Sequence, residues 1–340
     1  MQANLKESPV IKDRPERAKE RIIAERKYHY SEIFHSIQGE GHYTGVPTAW
    51  IRFFLCNLQC DGFGQDFPTK PETYDLPFKH FDTSTVNRVE DLPVWEKGCD
   101  SSYTWSKKFK HLMGQATGKE LAQKITNIMK TESNPEGSFR HPLSGHHNHL
   151  CITGGEPLMG HGQNAFIDIY NALRDMEGGP MFEYGKKMKH HRSSSNLPSS
   201  VTWETNGTQR LTQKFYDFVG GNLFQPEAFF SISPKLWHVS GEKREKAIRP
   251  DIVKQYWNVS KNGQLKFVVG QTKEEWEELD EVIGLFRDEG IGYPVWIMPV
   301  GARAEEQEAT AGDVAKMAFE RGYNVSGRMH VYLFGNAIGT

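Results

Sequence analysis

The stretch HLCITGGEP, residues 149–157, contains a clear strand signal. A continuous apolar run that ends in two glycines is typical of a strand buried on both faces of a parallel sheet. The helical spacing of FIDIYNALRDM (166–176) follows it, and SVTWETNG (200–207) predicts another strand with a turn. A strand, a helix and a second strand in this order predict a parallel sheet with a crossover helix.

The same alternation extends in both directions from this unit. Further strands are predicted at TAWIRFF (48–54), AFFSISPK (228–235), QLKFVVG (264–270), PVWIMPVG (294–301) and, as the last strand, MHVYLFG (329–335). Further helices are predicted over residues 118–130, 274–290 and 309–322. The sequence therefore predicts an α/β protein with its active site at the carboxyl ends of the strands.

Three segments fall outside this alternation. Residues 61–98, rich in Pro, Asp, Thr and Lys, and residues 177–199, rich in Gly, Ser and basic residues, are expected to be insertions in surface loops. Residues 1–27 are charged and lack the apolar segment of a secretory signal, which predicts an N-terminal extension. We therefore expect one domain over residues 28–340 that carries both insertions.

Composition narrows the class of protein. The chain has 340 residues, 37% of them hydrophobic, and a net charge of −2, as in an ordinary globular protein. It lacks the strong positive excess of nucleic-acid-binding proteins and any apolar run long enough to span a membrane. Four cysteines do not form a disulfide framework, so we expect a reducing, cytoplasmic location in which clustered cysteines bind metal.

The cysteines are the first candidates for chemistry. Cys56 and Cys60 are separated by three residues, and a C-x3-C-x2-C iron–sulfur motif would place a third cysteine at position 63, where Phe63 stands. Cys99 lies in the polar stretch EKGCDSSYTW, which is a usable place for a ligand. Cys151 lies inside a predicted buried strand, where a free cysteine is usually a small core residue.

A family resemblance joins these observations. The segments EIFHSIQGEGHYTGVPTAWIRFFLCNLQC (32–60) and CDSSYTW (99–105) resemble the two halves of the cluster loop of the 7-carboxy-7-deazaguanine synthases, which are radical S-adenosylmethionine (SAM) enzymes. Their usual pattern is S-x-Q-G-E-G, then C-N-L-x-C, then W-C-D-T-x-Y-T. Further matches follow in order at TGGEP (153–157), ETNGT (204–208), SPK (233–235), LKFVV (265–269) and RMHVYLFG (328–335).

The chain departs from that pattern at three positions. Phe63 occupies the usual third-ligand position, Leu55 replaces the glycine usual before the first cysteine, and Ser101 replaces the threonine of C-D-T. The resemblance nevertheless covers residues 31–335. It implies a partial, modified (β/α) barrel of the radical SAM type, with parallel strands and crossover helices.

The resemblance also implies cofactors and a reaction. Three thiolates, from Cys56, Cys60 and Cys99, would hold a [4Fe–4S] cluster and leave one iron open for SAM. An electron from the cluster would cleave SAM to methionine and a 5′-deoxyadenosyl radical. The enzyme, a lyase, would convert 6-carboxy-5,6,7,8-tetrahydropterin to 7-carboxy-7-deazaguanine with loss of ammonia, in 7-deazapurine biosynthesis of the queuosine or preQ0 type. Mg²⁺ would bind the hydroxyl of Ser101.

The resemblance also implies which residues of this chain contact the substrate and SAM, because they stand at the matching positions of the motifs. The substrate is expected to contact Gln38, Gly39, Glu40, Arg52, Thr153 and His330. SAM is expected to contact Gly154, Gly155, Glu156, Glu204, Asn206, Ser233 and Lys235. Arg52 would hold the substrate carboxylate, and His330, at the start of the last strand, would do so from the other side. A homodimer and a reducing partner such as flavodoxin or ferredoxin are expected, with neither membrane nor nucleic acid as partner.

Three other interpretations remain open at the level of sequence. The first is a different radical SAM enzyme, such as an activase that acts on a protein. The second is a non-enzymatic zinc protein in which a histidine completes the cysteine set; HPLSGHHNH (141–149) offers four histidines. The third is a homologue that has lost its cluster and acts as a binding protein.

Overall fold

The structure, a computed structural model, describes residues 26–176, 197–222, 224–335 and 337–339. Almost all of the predicted N-terminal extension and most of the predicted insertion over residues 177–199 lie outside these ranges. None of the helices in the described part is long and apolar enough to cross a bilayer.

The described residues form one nine-stranded sheet with helices between its strands. The strands are β1 (Lys27–Ile37), β2 (Pro47–Phe53), β3 (Gly114–Thr117), β4 (His149–Gly154), β5 (Ser200–Thr205), β6 (Glu227–Ile232), β7 (Gly263–Val269), β8 (Val295–Pro299) and β9 (Asn324–Val325). The helices are α1 (Pro77–His80), α2 (Gly118–Ile128), α3 (Gly160–Asp175), α4 (Gln213–Val219), α5 (Trp237–Ser240), α6 (Arg244–Ala247), α7 (Pro250–Val259), α8 (Lys273–Asp288), α9 (Ala304–Glu320) and α10 (Met329–Phe334).

The sheet is open and largely parallel. Its strand order is β3-β1-β2-β4-β5-β6-β7-β8-β9, and every pair from β2 to β9 is parallel. β1 pairs antiparallel with both β2 and β3 at one edge. The predicted α/β class with parallel strands and crossover helices is confirmed.

Alternate residues of the parallel strands divide the sheet into two faces. One face, which we call the helix face, carries buried apolar side chains that pack against α2, α3 and α8. Its members include Ile51, Phe53, Leu150, Ile152, Val201, Trp203, Phe230, Ile232, Leu265 and Phe267. The intervening side chains point to the other face, the cavity face, and many are polar: Arg52, Thr153, Glu204, Ser231 and Lys266. The division keeps the hydrophobic core on one side and leaves the other side available for chemistry.

The connection between β1 and β2 crosses the cavity face. The amide of Gly41 donates to the Ser326 hydroxyl at 2.7 Å, and the amide of His42 donates to Oε1 of Gln264 in β7 at 3.0 Å. The ring of His42 stacks on Phe229 of β6, with 5.4 Å between centroids. A connection from one side of the sheet therefore contacts its other side, which makes the open sheet a partial barrel.

The prediction that MHVYLFG forms the last strand is wrong. Residues Met329–Phe334 form helix α10, which ends at Gly335 in a left-handed conformation (φ 70°). The last strand is instead β9, which has only two residues and pairs with β8. A short apolar run has no periodicity that separates a strand from a helix. Here the amide of Met329 bonds to the carbonyl of Gly39 at 2.9 Å, so the segment leaves the sheet.

Other elements were not predicted from the sequence. β1 is the longest strand, at 11 residues, yet its sequence KYHYSEIFHSI mixes polar and apolar residues on both faces. The short strand β3 and helices α4 and α7 were also missed. The remaining predicted strands and helices are confirmed within a few residues of their expected ends, apart from α3 and α9, which begin five or more residues earlier.

Residues 61–98 contain helix α1 and short 3-10 turns rather than a featureless loop. With residues that follow them, they bury a small hydrophobic cluster of their own: Leu76, Phe78, Val86, Val89, Leu92, Trp95, Tyr103 and Phe109. The two ends of the segment meet, because the amide of Gly98 donates to the carbonyl of Phe63 at 2.7 Å. Cys99 consequently lies next to Phe63 in space although 35 residues separate them in sequence.

This closure leaves little room at Gly64. A Cβ there would lie 2.4 Å from the carbonyl oxygen of Glu96, and Gly64 has φ +67°. Gly322 has nearly the same φ, +69°, but open space around its Cβ position. Both Gly64→Ala and Gly322→Ala add a left-handed alanine, which costs about 1–2 kcal/mol. We expect Gly64→Ala to lower the free energy of unfolding by at least about 1 kcal/mol more than Gly322→Ala, as measured by denaturant titration. Equal losses would show that the closure does not depend on this contact.

Candidate active site

A cavity of about 560 Å³ opens at the carboxyl ends of the parallel strands, on the cavity face of the sheet. Its wall includes every predicted site residue except Gly39 and Glu156. The members are Gln38, Glu40, Arg52, Cys56, Cys60, Cys99, Ser101, Thr153, Gly154, Gly155, Glu204, Asn206, Ser233, Lys235 and His330. Residues from β2, β4 and β5, from the segments that follow β5 and β6, from the β1–β2 connection and from α10 therefore meet at one place. The roles expected for them remain predictions.

Gly39 and Glu156 lie behind the wall. A Cβ on Gly39 would be 1.8 Å from Nδ1 of His330, so glycine permits His330 to approach the backbone there. Glu156 is fully buried, and its carboxylate accepts bonds from the amides of Asn206 (2.7 Å) and Leu158 (2.9 Å). Burial raises the pKa of Glu156 to about 7. Its position supports a role in joining the end of β4 to the turn after β5, and gives no support to the expected contact with SAM.

The three candidate cluster ligands come together. Cys56 and Cys60 flank the loop that follows β2, and Cys99 reaches the same wall through the closure at Phe63. The three belong to one small apolar cluster with Leu58 and Ala247. Cys151, by contrast, is fully buried within β4 and does not line the cavity.

The environment of the cysteines suits a cluster. Burial raises the pKa of Cys56 to about 11 and that of Cys99 to about 12, and it raises the pKa of Cys60 well above its ordinary value. The charge of Lys235 opposes this effect at Cys56 and Cys60. Metal coordination removes the thiol protons and makes such burial favourable.

The donor set on this wall is informative. Cys56, Cys60 and Cys99 all line the same cavity, and cysteine thiolates are the ligands that hold an iron–sulfur cluster. By the chemistry of their donors, these residues fit the expected [4Fe–4S] cluster. Within the described ranges, no group of three or more His, Cys, Asp or Glu side chains could hold a single metal ion. His149 of the histidine-rich stretch bonds to Ser200 and Thr202.

Two motifs hold each other in place beside the cysteines. The side chain of Asn57 donates to the Thr208 hydroxyl at 2.8 Å and accepts from the Asn206 side chain at 3.1 Å. These contacts join the C-N-L-Q-C loop to the E-T-N-G-T turn. At the ends of the loop, Leu55 (φ 80°) and Cys60 (φ 54°) adopt left-handed conformations that are costly for residues other than glycine. A glycine adopts such a conformation without strain, whereas Leu55 adopts it at a cost.

A buried ion cluster forms the opposite wall. The carboxylate of Glu40 pairs with Lys266 and, at 3.1 Å, with Nε of Arg328. Burial alone would raise the pKa of Glu40, but the charges of Lys266 and Arg328 hold it well below its ordinary value. Lys266 also approaches Glu204 at 4.0 Å, and Arg328 approaches Asp100 at 3.4 Å. The network links β5, β7, the β1–β2 connection, the segment before α10 and the segment that contains Cys99.

Arg52 already has protein partners. Its Nε donates to Glu32 at 2.6 Å and its Nη1 donates to the Ser101 hydroxyl at 3.3 Å. The same oxygen of Glu32 accepts from Tyr103 at 2.9 Å. Burial lowers the pKa of His330 to about 4 despite the nearby charge of Glu40, so its ring is neutral at physiological pH. The wall therefore presents a fixed arginine and an uncharged imidazole.

Sequence reasoning missed three charged residues of this site: Glu32, Lys266 and Arg328. Each lies inside a quoted motif: Glu32 opens EIF, Lys266 is in LKFVV and Arg328 begins the R-x-H pair. Lys266 had a further signal, because a lysine within an apolar strand needs a buried partner. The position of Lys266 predicts a buried ion pair but does not indicate which residue is its partner.

The open, largely parallel sheet, with three cysteines and a charged cavity at the carboxyl ends of its strands, defines an α/β protein with a candidate active site at that edge. The predicted resemblance to 7-carboxy-7-deazaguanine synthases is confirmed by curated relatives with that name. The chain is 26% identical to the one from Rhodopirellula baltica over 323 residues, which cover 91% of this chain and 88% of the relative. It is 25% identical to the one from Halobacterium salinarum over 328 residues, 90% of each chain.

No family model matches the chain. Among solved structures, that of QueE from Escherichia coli aligns with a TM-score of 0.46 and 18% sequence identity, and the alignment covers 89% of this chain and 95% of that one.

The ion cluster predicts the effect of Glu40→Gln. Lys266, Glu40 and Arg328 are all largely buried, so a neutral side chain removes the carboxylate that both cations share and leaves each with a more distant one, Glu204 at 4.0 Å or Asp100 at 3.4 Å. Breaking a buried pair in this way costs about 3–5 kcal/mol, which we expect as a loss in the free energy of unfolding at pH 7. The Glu40 pKa is depressed, so its contribution is complete at neutral pH and is lost only in acid, as pH falls below the ordinary glutamate range.

The matched control is Glu277→Gln, which removes a carboxylate from an exposed pair with Lys273. It should leave the unfolding midpoint unchanged within error. A Glu40→Gln protein as stable as this control would contradict the interpretation of Glu40 as the buried anion of the site.

Proposed function

We propose that the protein is a 7-carboxy-7-deazaguanine synthase. It would be a radical SAM lyase that converts 6-carboxy-5,6,7,8-tetrahydropterin to 7-carboxy-7-deazaguanine with loss of ammonia, in 7-deazapurine biosynthesis. The observation that carries this proposal is the closure between Phe63 and Gly98, which brings Cys99 to the wall shared by Cys56 and Cys60. The similarity to synthases over about 90% of the chain supports it.

The cysteines would hold the [4Fe–4S] cluster, and the neighbouring strand ends would hold SAM. Bound cluster and SAM would supply the one-electron chemistry that removes a hydrogen atom from the substrate. Gly154 ends β4 and Gly155 follows it on the cavity wall, where a Cβ on Gly155 would lie 2.3 Å from the carbonyl oxygen of Leu55. The Nζ of Lys235 donates to the Ser233 hydroxyl at 2.9 Å, and both residues face the cavity. A carboxylate or ribose hydroxyl of SAM would bind there.

The other wall would position the substrate. Arg52 is held by Glu32 and Ser101 through Nε and Nη1, and the described residues give its Nη2 no hydrogen-bond partner. That nitrogen would bind the pterin carboxylate in a charge-assisted bond. Glu204 accepts from Gln38 at 3.2 Å and from Thr153 at 3.3 Å, two residues expected to contact the substrate. We therefore propose it as an acceptor for the N–H groups of the planar ring, in place of the contact with SAM that the sequence predicts. Fixed partners matter because a misplacement of about 1 Å can cost on the order of 100-fold in rate.

Residues of the segment 61–98 would help to exclude water. Trp95, Glu96 and Lys97 line the cavity together with Trp50 and Trp105. Trp95 packs on Phe109 and Phe81 within the segment's own hydrophobic cluster, so this side of the cavity rests on a packed structure. A closed, apolar wall protects a reactive species from solvent.

Several finer points belong to the same proposal. Mg²⁺ would bind at Ser101, whose hydroxyl donates to Asp100 at 3.1 Å on the cavity wall. The protein would act as a homodimer in the cytoplasm and receive electrons from a flavodoxin or ferredoxin. Exposed apolar side chains on α9 and α10 support a protein–protein surface; they are Phe319, Tyr332, Leu333 and Phe334.

The test of function is anaerobic reconstitution with iron and sulfide, followed by an assay with 6-carboxytetrahydropterin, SAM and a strong reductant. We expect the wild-type protein to gain a visible iron–sulfur band and to release 7-carboxy-7-deazaguanine, identified by mass spectrometry. Serine substitution of Cys56, Cys60 or Cys99 should abolish both, because each removes one of three thiolates.

Cys151→Ser is the matched control, since it changes a cysteine that does not line the cavity. It should keep the band and the product, with some loss of stability. A Cys99→Ser protein with full iron and sulfide content would contradict the ligand assignment, and a reconstituted wild-type protein that cleaves SAM without releasing product would contradict the reaction.

Mg²⁺ should raise the rate of product formation in the millimolar range, and Ser101→Ala should weaken that dependence while SAM binding stays intact. The reason is that Ser101 supplies an oxygen of the kind that Mg²⁺ prefers. Ser106→Ala is the control, because Ser106 follows in the same loop but does not line the cavity. A wild-type rate indifferent to Mg²⁺ would refute this part of the proposal.

A further inference from the structure

A carboxylate from outside the resemblance motifs holds the cysteine loop. Oε1 of Glu242 accepts hydrogen bonds from the backbone amides of Gln59 (2.6 Å) and Cys60 (2.8 Å). Glu242 is 8% exposed and does not line the cavity, so it approaches the loop from behind. Its other oxygen, Oε2, lies 3.4 Å from Nζ of Lys246. One buried oxygen thus satisfies two consecutive amides of the loop.

Those two amides belong to the strained part of the loop. Cys60 has φ 54°, a conformation that costs a residue with a Cβ of order 1–3 kcal/mol unless its surroundings determine it. Consecutive amides that point to the same side form a concavity for an anion, and here Glu242 supplies the anion. The bonds therefore favour the one backbone conformation in which the amides of Gln59 and Cys60 share an acceptor.

The chain around Glu242 is itself packed against the loop. The amide of Gly62 donates to the carbonyl of Ser240 at 2.9 Å, and a Cβ on Gly62 would lie 2.6 Å from the carbonyl carbon of Ser240. The amide of Glu242 bonds to the Ser240 hydroxyl at 3.2 Å, which orients its backbone. The backbone that carries the Glu242 carboxylate is therefore held in place by its own contacts with the loop.

We infer that Glu242 is a positioning residue for Cys60: through the two amide bonds it holds the Cys60 thiol in the orientation that the cluster requires before the cluster binds. This inference rests on the proposed function. Glu242 acts on the backbone and touches neither the thiol nor the cavity, so its effect is on assembly and retention of the cluster. The hydrogen bonds carry the effect, and a neutral side chain of the same shape should preserve most of it.

The chain provides a matched control at Glu278. Its carboxylate also accepts from two consecutive backbone amides, those of Trp237 (2.8 Å) and His238 (3.0 Å), and it is 7% exposed. It lies on α8 and neither bonds to the cysteine loop nor lines the cavity. Loss of either carboxylate removes the acceptor of two backbone amides, and at Glu278 also a contact with Nδ1 of His238 at 2.8 Å. Only Glu242 acts on the cysteine loop.

The first experiment measures hydrogen exchange of the apo-protein by mass spectrometry in a peptide that covers residues 56–62. Glu242→Ala should speed exchange of the Gln59 and Cys60 amides by at least about tenfold, because charge-assisted bonds protect them. Glu278→Ala should leave this peptide unchanged. Unaltered exchange in Glu242→Ala, or the same acceleration in Glu278→Ala, would overturn the inference.

The second experiment measures how fast the reconstituted protein loses its visible band in the presence of an iron chelator. Glu242→Ala should lose it at least about tenfold faster than wild type, whereas Glu242→Gln, which keeps an oxygen acceptor, and Glu278→Ala should stay within about threefold. A Glu242→Gln protein as labile as Glu242→Ala would overturn positioning by hydrogen bonds. If the wild-type protein takes up no cluster, the proposed function is wrong. That outcome differs from unaltered exchange in the apo-protein, which would contradict only the inference about Glu242.

Discussion

The burial of Glu40 between Lys266 and Arg328 is the constraint on which the arrangement of the site depends. A buried charge is tolerated only when it is paired, so these three side chains have to meet. They come from the β1–β2 connection, from β7 and from the segment before α10. Their salt bridges connect one side of the open sheet to the other, although the edge strands do not pair through their backbones. The cavity lies beside these salt bridges, and the same residues determine its charge.

The division of the sheet into two faces follows from the same requirement. Parallel strands covered on both sides are usually apolar throughout. Here one alternate set is apolar and packs on helices, whereas the other set carries polar groups that bond to one another. Glu204 is held by Gln38 and Thr153, and His149 by Ser200 and Thr202. A polar face of this kind is costly unless every group has a partner, and its retention marks the face that does chemistry.

Much of this arrangement could be predicted from the sequence because it depends on local signals. Apolar strands such as HLCITGG and helices such as α8 have clear periodicity, and the motifs placed most site residues on one wall. What the sequence could not provide were contacts between distant segments. MHVYLFG became a helix because Gly39 and Glu40 hold its start, and Glu156 turned inward because backbone amides of two neighbouring turns converge on it. Neither contact can be recognised from the hydrophobic periodicity of its own segment.

The cysteine loop shows why sequence spacing is a poor guide to ligand geometry. A longer loop between two ligands costs little additional entropy, because the cost of closure rises only with the logarithm of its length. The segment between Phe63 and Gly98 reduces even that cost by burying its own cluster around Trp95 and Phe78. What the site requires is that the two ends of the segment meet, and the bond between Phe63 and Gly98 fulfils this condition. The number of residues between Cys60 and Cys99 can therefore increase at little cost. Their distance in space is set by backbone contacts at the edge of the cavity.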